Sequence, residues 1–174
     1  MTDDDLAFEH VGTLACGERL LICDVEYVDP RFAGVAKGAV RLDVEVEVLP
    51  GTWQVLVVRE RAGDPEADVR FVLLTHEREL DDPAPLDEAE VLALLRVDSG
   101  RITVLDPELR AEPVIQTAVL EAPREQVPCM LRDPAALDAE PRGALLDLDL
   151  GGVFELYAGA SAPRSSLFLS LTSD

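Results

Sequence analysis

Between residues 40 and 48 apolar and polar positions alternate without a break, Val40, Leu42, Val44, Val46 and Val48 against Arg41, Asp43, Glu45 and Glu47. Strand side chains point alternately to opposite faces, so this stretch predicts a half-buried β-strand with one wet face. Pro50-Gly51 supplies a turn, and the aromatic and β-branched run 53–58 predicts a second strand. The two are expected to pair as a hairpin across residues 49–52. Further strands are expected at 19–28, 69–75, 102–105, 144–150, 153–157 and 167–171, each bounded by Gly, Pro, Asp or Ser.

Helical periodicity is scarce. After the break Asp81-Asp82-Pro83-Ala84-Pro85, Asp87 is placed to cap a segment with Glu88 and Glu90 in its first turn and Leu86, Ala89, Leu92 and Leu95 as apolar positions. Its C-terminal part, 91–97, suits a strand equally. A second short helix is expected after Pro134, over Ala135, Ala136 and Leu137. The expected fold class is therefore mainly β, α+β at most: an antiparallel sheet sandwich or a partly open barrel with one or two short helices. Trp53 opens a strand in a chain of eight aromatics and is expected to be buried.

Length changes the picture little, since 174 residues suit one domain spanning 1–174. Charge changes it more. Fifteen Lys and Arg stand against 35 Asp and Glu, a net charge of −20, which repels phosphate backbones and anionic lipid surfaces; neither nucleic acid nor membrane is expected as a partner. The longest apolar stretches, 20–23 and 91–95, are far too short to span a bilayer, and the acidic start Met1-Thr2-Asp3-Asp4-Asp5 is unlike a secretory signal. A cytoplasmic location is expected. Cys16, Cys23 and Cys129 are odd in number and lack ligand spacing, so they read as reduced thiols, mostly buried.

A short echo runs along the chain. Cys16-Gly17-Glu18-Arg19, an apolar strand and Asp24 are answered by Ser99-Gly100-Arg101, an apolar strand and Asp106. A glycine turn feeding a strand that ends at an acidic turn recurs by chance in β proteins, and that is the preferred reading. The alternative is two structurally similar halves, about 10–80 and 90–174.

Taken in order, these pieces resemble an uncharacterised family of bacterial proteins known only as a domain of unknown function. The resemblance is carried by Cys16-Gly17 through Asp24, by the Pro-Gly-aromatic-x-Val turn and strand Pro50-Gly51-Thr52-Trp53-Gln54-Val55, by Val97-Asp98-Ser99-Gly100 with Asp106, and by the stretches 152–157 and 167–171. Val25 stands where such proteins often place Pro, and 158–163 lacks their tryptophan and glycine pattern. The resemblance implies the fold and brings no activity.

Catalytic motifs are missing: the chain has no GxSxG, P-loop, GxGxxG or HExxH. His10 and His76 read as surface or satisfied histidines without a nucleophile beside them. Asp24, Asp98 and Asp106 at strand ends, with Asp147 and Asp149 on one strand face, are the residues that would hold a divalent cation, although solvated turn residues explain them better. No catalytic residue and no cofactor is assigned. The preferred reading is a binding or accessory protein, one form of which is an immunity-type protein masking a basic protein partner; Asp43, Glu45 and Glu47 on the wet strand face are its expected contact. The alternative is a metal-dependent hydrolase using the Asp cluster. Oligomeric state is left open.

Overall fold

Alternating and β-branched stretches become two packed sheets in the computed structural model, which describes residues 7–59, 69–80, 89–148, 150–159 and 163–171. The strands are β1 (Ala7–Cys16), β2 (Arg19–Asp24), β3 (Ala36–Lys37), β4 (Val40–Arg41), β5 (Asp43–Glu47), β6 (Gly51–Arg59), β7 (Val69–His76), β8 (Glu90–Val97), β9 (Arg101–Leu105), β10 (Cys129–Leu131), β11 (Gly143–Asp147), β12 (Gly152–Ala158) and β13 (Ser166–Leu171). One α-helix, α1 (Pro113–Glu121), is present among the described residues. The larger sheet runs β1-β6-β7-β13-β12-β8-β4-β3 and the smaller β10-β11-β9-β2-β5. Every named pair is antiparallel except β4 with β8. This is the expected mainly-β sandwich.

The core lies between the sheets. Leu14, Trp53, Val55, Leu74, Leu95, Leu156 and Leu167 of the larger sheet meet Leu20, Ile22, Val44, Val46, Ile102, Val104 and Leu146 of the smaller. Trp53 is fully buried, its indole N–H donating to the Leu49 carbonyl at 2.8 Å. A second apolar cluster covers the other face of the smaller sheet, where Leu21, Cys23, Leu105 and Leu145 lie under Val25, Val28, Leu109, Ile115 and Val119. The last two belong to α1, which opens on Pro113 at the position where a missing N–H costs nothing. Ile115 and Val119, one turn apart, face the sheet together.

The hairpin expected across 49–52 does not form. β5 pairs with β2 in one sheet, and β6 pairs with β1 and β7 in the other. The turn at Pro50-Gly51 carries the chain from sheet to sheet, so that Val44 and Val46 face Trp53 and Val55 through the core instead of lying beside them. Gly51 is required there, with φ 133° and with the His76 ring 2.7 Å from where its Cβ would be. The short helix expected after Pro134 is also absent; the segment forms turns, with Asp133 accepting from the Ala135 N–H. Residues 91–97 are strand, and the N-terminal part of the helix expected there lies outside the described residues.

Pairing follows one scheme twice. Leu14, Cys16 and bulged Val11 of β1 stand to Trp53 and Gly51 of β6 as Leu95, Val97 and bulged Leu92 of β8 stand to Phe154 and Gly152 of β12. Arg19 faces Glu47 between β2 and β5, and Arg101 faces Asp147 between β9 and β11. Val48 donates to the Glu18 carbonyl and Leu148 to the Gly100 carbonyl, at 2.9 and 2.7 Å. The two sets meet symmetrically at Ile22 opposite Val104 in the smaller sheet and at Leu73 opposite Phe168 in the larger.

Candidate binding site

β5 is an edge strand, and its expected wet face divides. Glu45 and Glu47 are exposed. Asp43 is buried, its carboxylate 2.5 Å from the guanidinium of Arg110, which also donates to the carbonyls of Val28 and Tyr27. The acidic row is thus shorter than the alternation implies: the face is wet at one end and covered at the other by the cluster under α1.

Glu45 and Glu47 border a cleft of about 300 Å³ between β5 and β8, lined also by Arg41, Val44, Val46, Leu92, Ala93 and Arg164. Glu47 continues into a second cleft of about 250 Å³ with Glu18, Arg19, Val48, Pro50 and Pro163. Glu18 and Arg19 continue into a third, of about 350 Å³, with Gly17, Asp106, Pro107 and Glu108. At these shared residues the three clefts adjoin as a segmented furrow. Glu45 is 3.6 Å from Arg19, an exposed pair of little energetic weight. Arg164 is engaged by Glu90 at 2.8 Å, and Arg142 by Asp106 and Glu108. Glu18 and Glu47 have no side-chain hydrogen bond or ion pair with a described residue.

The strand-end aspartates are brought into two matching brackets. Asp24, fully buried, accepts from the backbone N–H of Glu26 in its own turn and of Asp98 and Ser99 in the β8–β9 turn. Asp106, also buried, accepts from the N–H of Glu108 in its own turn and of Gly17 in the β1–β2 turn. Each carboxylate caps its own 3-10 turn and ties down the turn of the other set, so its lone pairs are engaged by backbone donors. Asp98 hydrogen-bonds the Tyr27 hydroxyl and Arg96. The tyrosine bond holds the Asp98 carboxyl below its usual range, and the same bond raises the tyrosine to about 12. Glu26 is shifted upward by burial and by Asp24 and Asp98. Asp147 lies 3.8 Å from Arg101, and Asp149 is outside the described residues. Among the described residues no three His, Cys, Asp or Glu side chains converge on a point where a metal ion would sit.

His76 is buried against the edge of Trp53, its Nε2 3.0 Å from the Pro50 carbonyl and its Nδ1 accepting from the Arg78 N–H. Its role is to anchor the 50–51 turn, and His10 stays exposed on β1. Cys16 and Cys23 are buried thiols, each pushed up to about 12 by desolvation, which suits inert core residues.

Compared with protein-family models, curated proteins and solved structures, the chain has a significant match to none. Among the described residues no helix is long and apolar enough to cross a membrane. The furrow residues that sequence reasoning misses are Glu18, Leu92, Ala93 and Arg164. Glu18 lies within the echoed turn, but nothing in the local pattern marks it as a wall of the same furrow as β5.

Proposed function

We propose that the chain is a cytoplasmic, non-enzymatic binding or accessory protein that holds a basic segment of a protein partner along the furrow of Glu18, Glu45 and Glu47. One observation carries this reading: Glu18 and Glu47, which have no side-chain hydrogen bond or ion pair with a described residue, line adjoining clefts in a chain of net charge −20. Such a surface steers cationic partners toward it and discriminates against anionic ones. An immunity-type role, masking a cationic toxin, is the form that uses this electrostatics most directly. The carboxylates that a metal-dependent hydrolase would need are engaged by backbone N–H groups and arginines. That favours the binding reading.

The test begins with pull-down from native lysate and continues with the purified, identified partner, titrated against the wild type and a Glu18→Lys/Glu47→Lys variant. Binding should weaken on reversal. It should also weaken steeply toward 1 M salt, where the screening length falls to about 3 Å. A partner that binds the reversed variant equally well, and equally at high salt, would overturn the proposal, as would the enrichment of no protein.

A further inference from the structure

The two sets of strands differ at one sheet edge, and the difference leaves a gap. Beside β11 lies β10, with Cys129, Met130 and Leu131 opposite Leu145, Ala144 and Gly143. In the repeated register those three β11 residues correspond to Glu45, Val44 and Asp43, but among the described residues the smaller sheet ends at β5. The linkers explain the contrast. Leu42 donates to the Val35 carbonyl as Arg142 donates to that of Leu131, at 3.0 and 2.9 Å. Upstream of Leu131 the chain is β10, whereas upstream of Val35 it turns into the 3-10 segment Pro30–Phe32.

Met130 shows what belongs in the gap. It packs against the core and over Gly12 of β1 so closely that a Cβ on Gly12 would lie 2.6 Å from its sulfur. The counterparts of Val11, Gly12, Ala144 and Leu146 are Leu92, Ala93, Val44 and Val46, and these four line the cleft of about 300 Å³. The cleft is Met130's seat repeated, without a described side chain in it. Among the described residues the outward backbone groups of Glu45 beside it are also unpaired. Val48 N–H points to β2, and the Glu47 carbonyl, on the other side, accepts from Arg164 N–H. Backbone groups alternate along a strand, so those of Glu45 point outward like those of Glu47.

We propose that the β5 edge is a strand-addition site. An extended segment of the partner pairs antiparallel with Val44 and Glu45 as Met130 and Cys129 pair with Ala144 and Leu145, beyond the place that Val35 takes beside Asp43, and an apolar side chain opposite Val44 enters the cleft. The residue just before that side chain stands opposite Glu45, as Cys129 stands opposite Leu145. It is lysine or arginine. Main-chain pairing supplies affinity in such additions and alternate side chains supply selectivity. This rests on the protein-binding reading above and adds the form of the segment bound.

The probe is a fluorescein-labelled peptide of residues 127–133 carrying Cys129→Arg, titrated into the full chain by anisotropy. Saturable binding is expected. Ala93→Leu, which narrows the cleft, and Glu45→Pro, which removes the outward N–H, should each weaken it by about tenfold or more. Glu45→Gln should weaken it less and flatten its salt dependence. Absence of saturable binding up to about 1 mM, or affinity for the Ala93→Leu and Glu45→Pro variants equal to that for the wild type, overturns strand addition. Loss on Ala93→Leu with no response to salt or to Glu45→Gln leaves strand addition standing and defeats the electrostatic reading. Response to salt and Glu45→Gln alone does the reverse.

Discussion

β5 and β11 occupy equivalent places in the smaller sheet, and their outer sides are treated differently. An open strand edge is a template for pairing with other chains. β11 is covered by β10, so its residues are free to be Gly143, Ala144, Leu145 and Leu146, all buried. β5 instead carries Glu45 and Glu47 outward and, among the described residues, its open side is bridged only beside Val48, by Arg164. Charge on a strand edge blunts indiscriminate pairing while leaving the backbone accessible to a segment of complementary charge. Where one edge is finished by its own chain, the other is guarded, and guarding is what a selective binding edge needs.

Removing Arg110 should break the comparison hardest. At Asp43 the β5 edge is held by a buried ion pair, whereas its counterpart Gly143 is held by β10 without charge. Arg110→Met leaves the Asp43 carboxylate buried and unpaired and should cost about 3–5 kcal/mol in urea denaturation. Adding Asp43→Asn should recover a large share, because most of the loss is the orphaned charge and not the lost attraction. A cost below about 1 kcal/mol for Arg110→Met would mean that Asp43 is solvated and the two edges are held alike.

Next in size is the contrast between Gly12 and Ala93. Gly12→Ala drives a Cβ against the sulfur of Met130 and should destabilise by about 1–3 kcal/mol, the usual range for overpacking. Ala93→Leu at the corresponding position projects into the cleft and should change stability by no more than about 1 kcal/mol in either direction. Equal costs in the two variants would mean that the β5 cleft is closed in solution. Thermal melts of both proteins decide between these outcomes.

Much of this architecture is legible in local pattern. The alternation at 40–48 gives β5, the runs of β-branched residues give most of the other strands, and Trp53 is buried as its neighbourhood predicts. The echoed segments point to the two turns that Asp24 and Asp106 tie together. What fails has a nonlocal cause. The false hairpin arises because periodicity tells which side of a strand is apolar, not whether the next strand lies beside it or across the core. Asp43 reads as wet because its partner Arg110 is 67 residues away. Helix α1 escapes notice because its N-cap, Glu112, makes no side-chain capping bond, and exposed Val114 and Leu120 blur the stripe of Ile115 and Val119. The cleft beside β5 is invisible in β5 itself, since it is created by a linker that turns away.

A small effect at neutral pH that sharpens as pH rises belongs to Cys16. Its counterpart across the repeat is Val97, and Cys23 corresponds to Leu105, so only one set of strands carries buried thiols. Burial, reinforced by Asp106 and opposed by Arg142, pushes the Cys16 thiol up to about 12. An unfolded thiol titrates near pH 8.5. Below that pH both states hold the proton and stability is complete. As pH rises further the unfolded chain releases its proton while the folded chain keeps it, so the unfolded state binds fewer protons and stability falls until pH reaches about 12. Cys16→Val copies the other set, is close to volume-conserving and should cost less than about 1.5 kcal/mol at pH 7. Between pH 9 and 12 it should lessen the decline without abolishing it, because Cys23 and Tyr27 are also raised to about 12 and titrate in the same window. Urea midpoints of the variant and the wild type across that range provide the measurement. Parallel curves would place the Cys16 thiol in contact with solvent and remove this distinction between the two sets of strands.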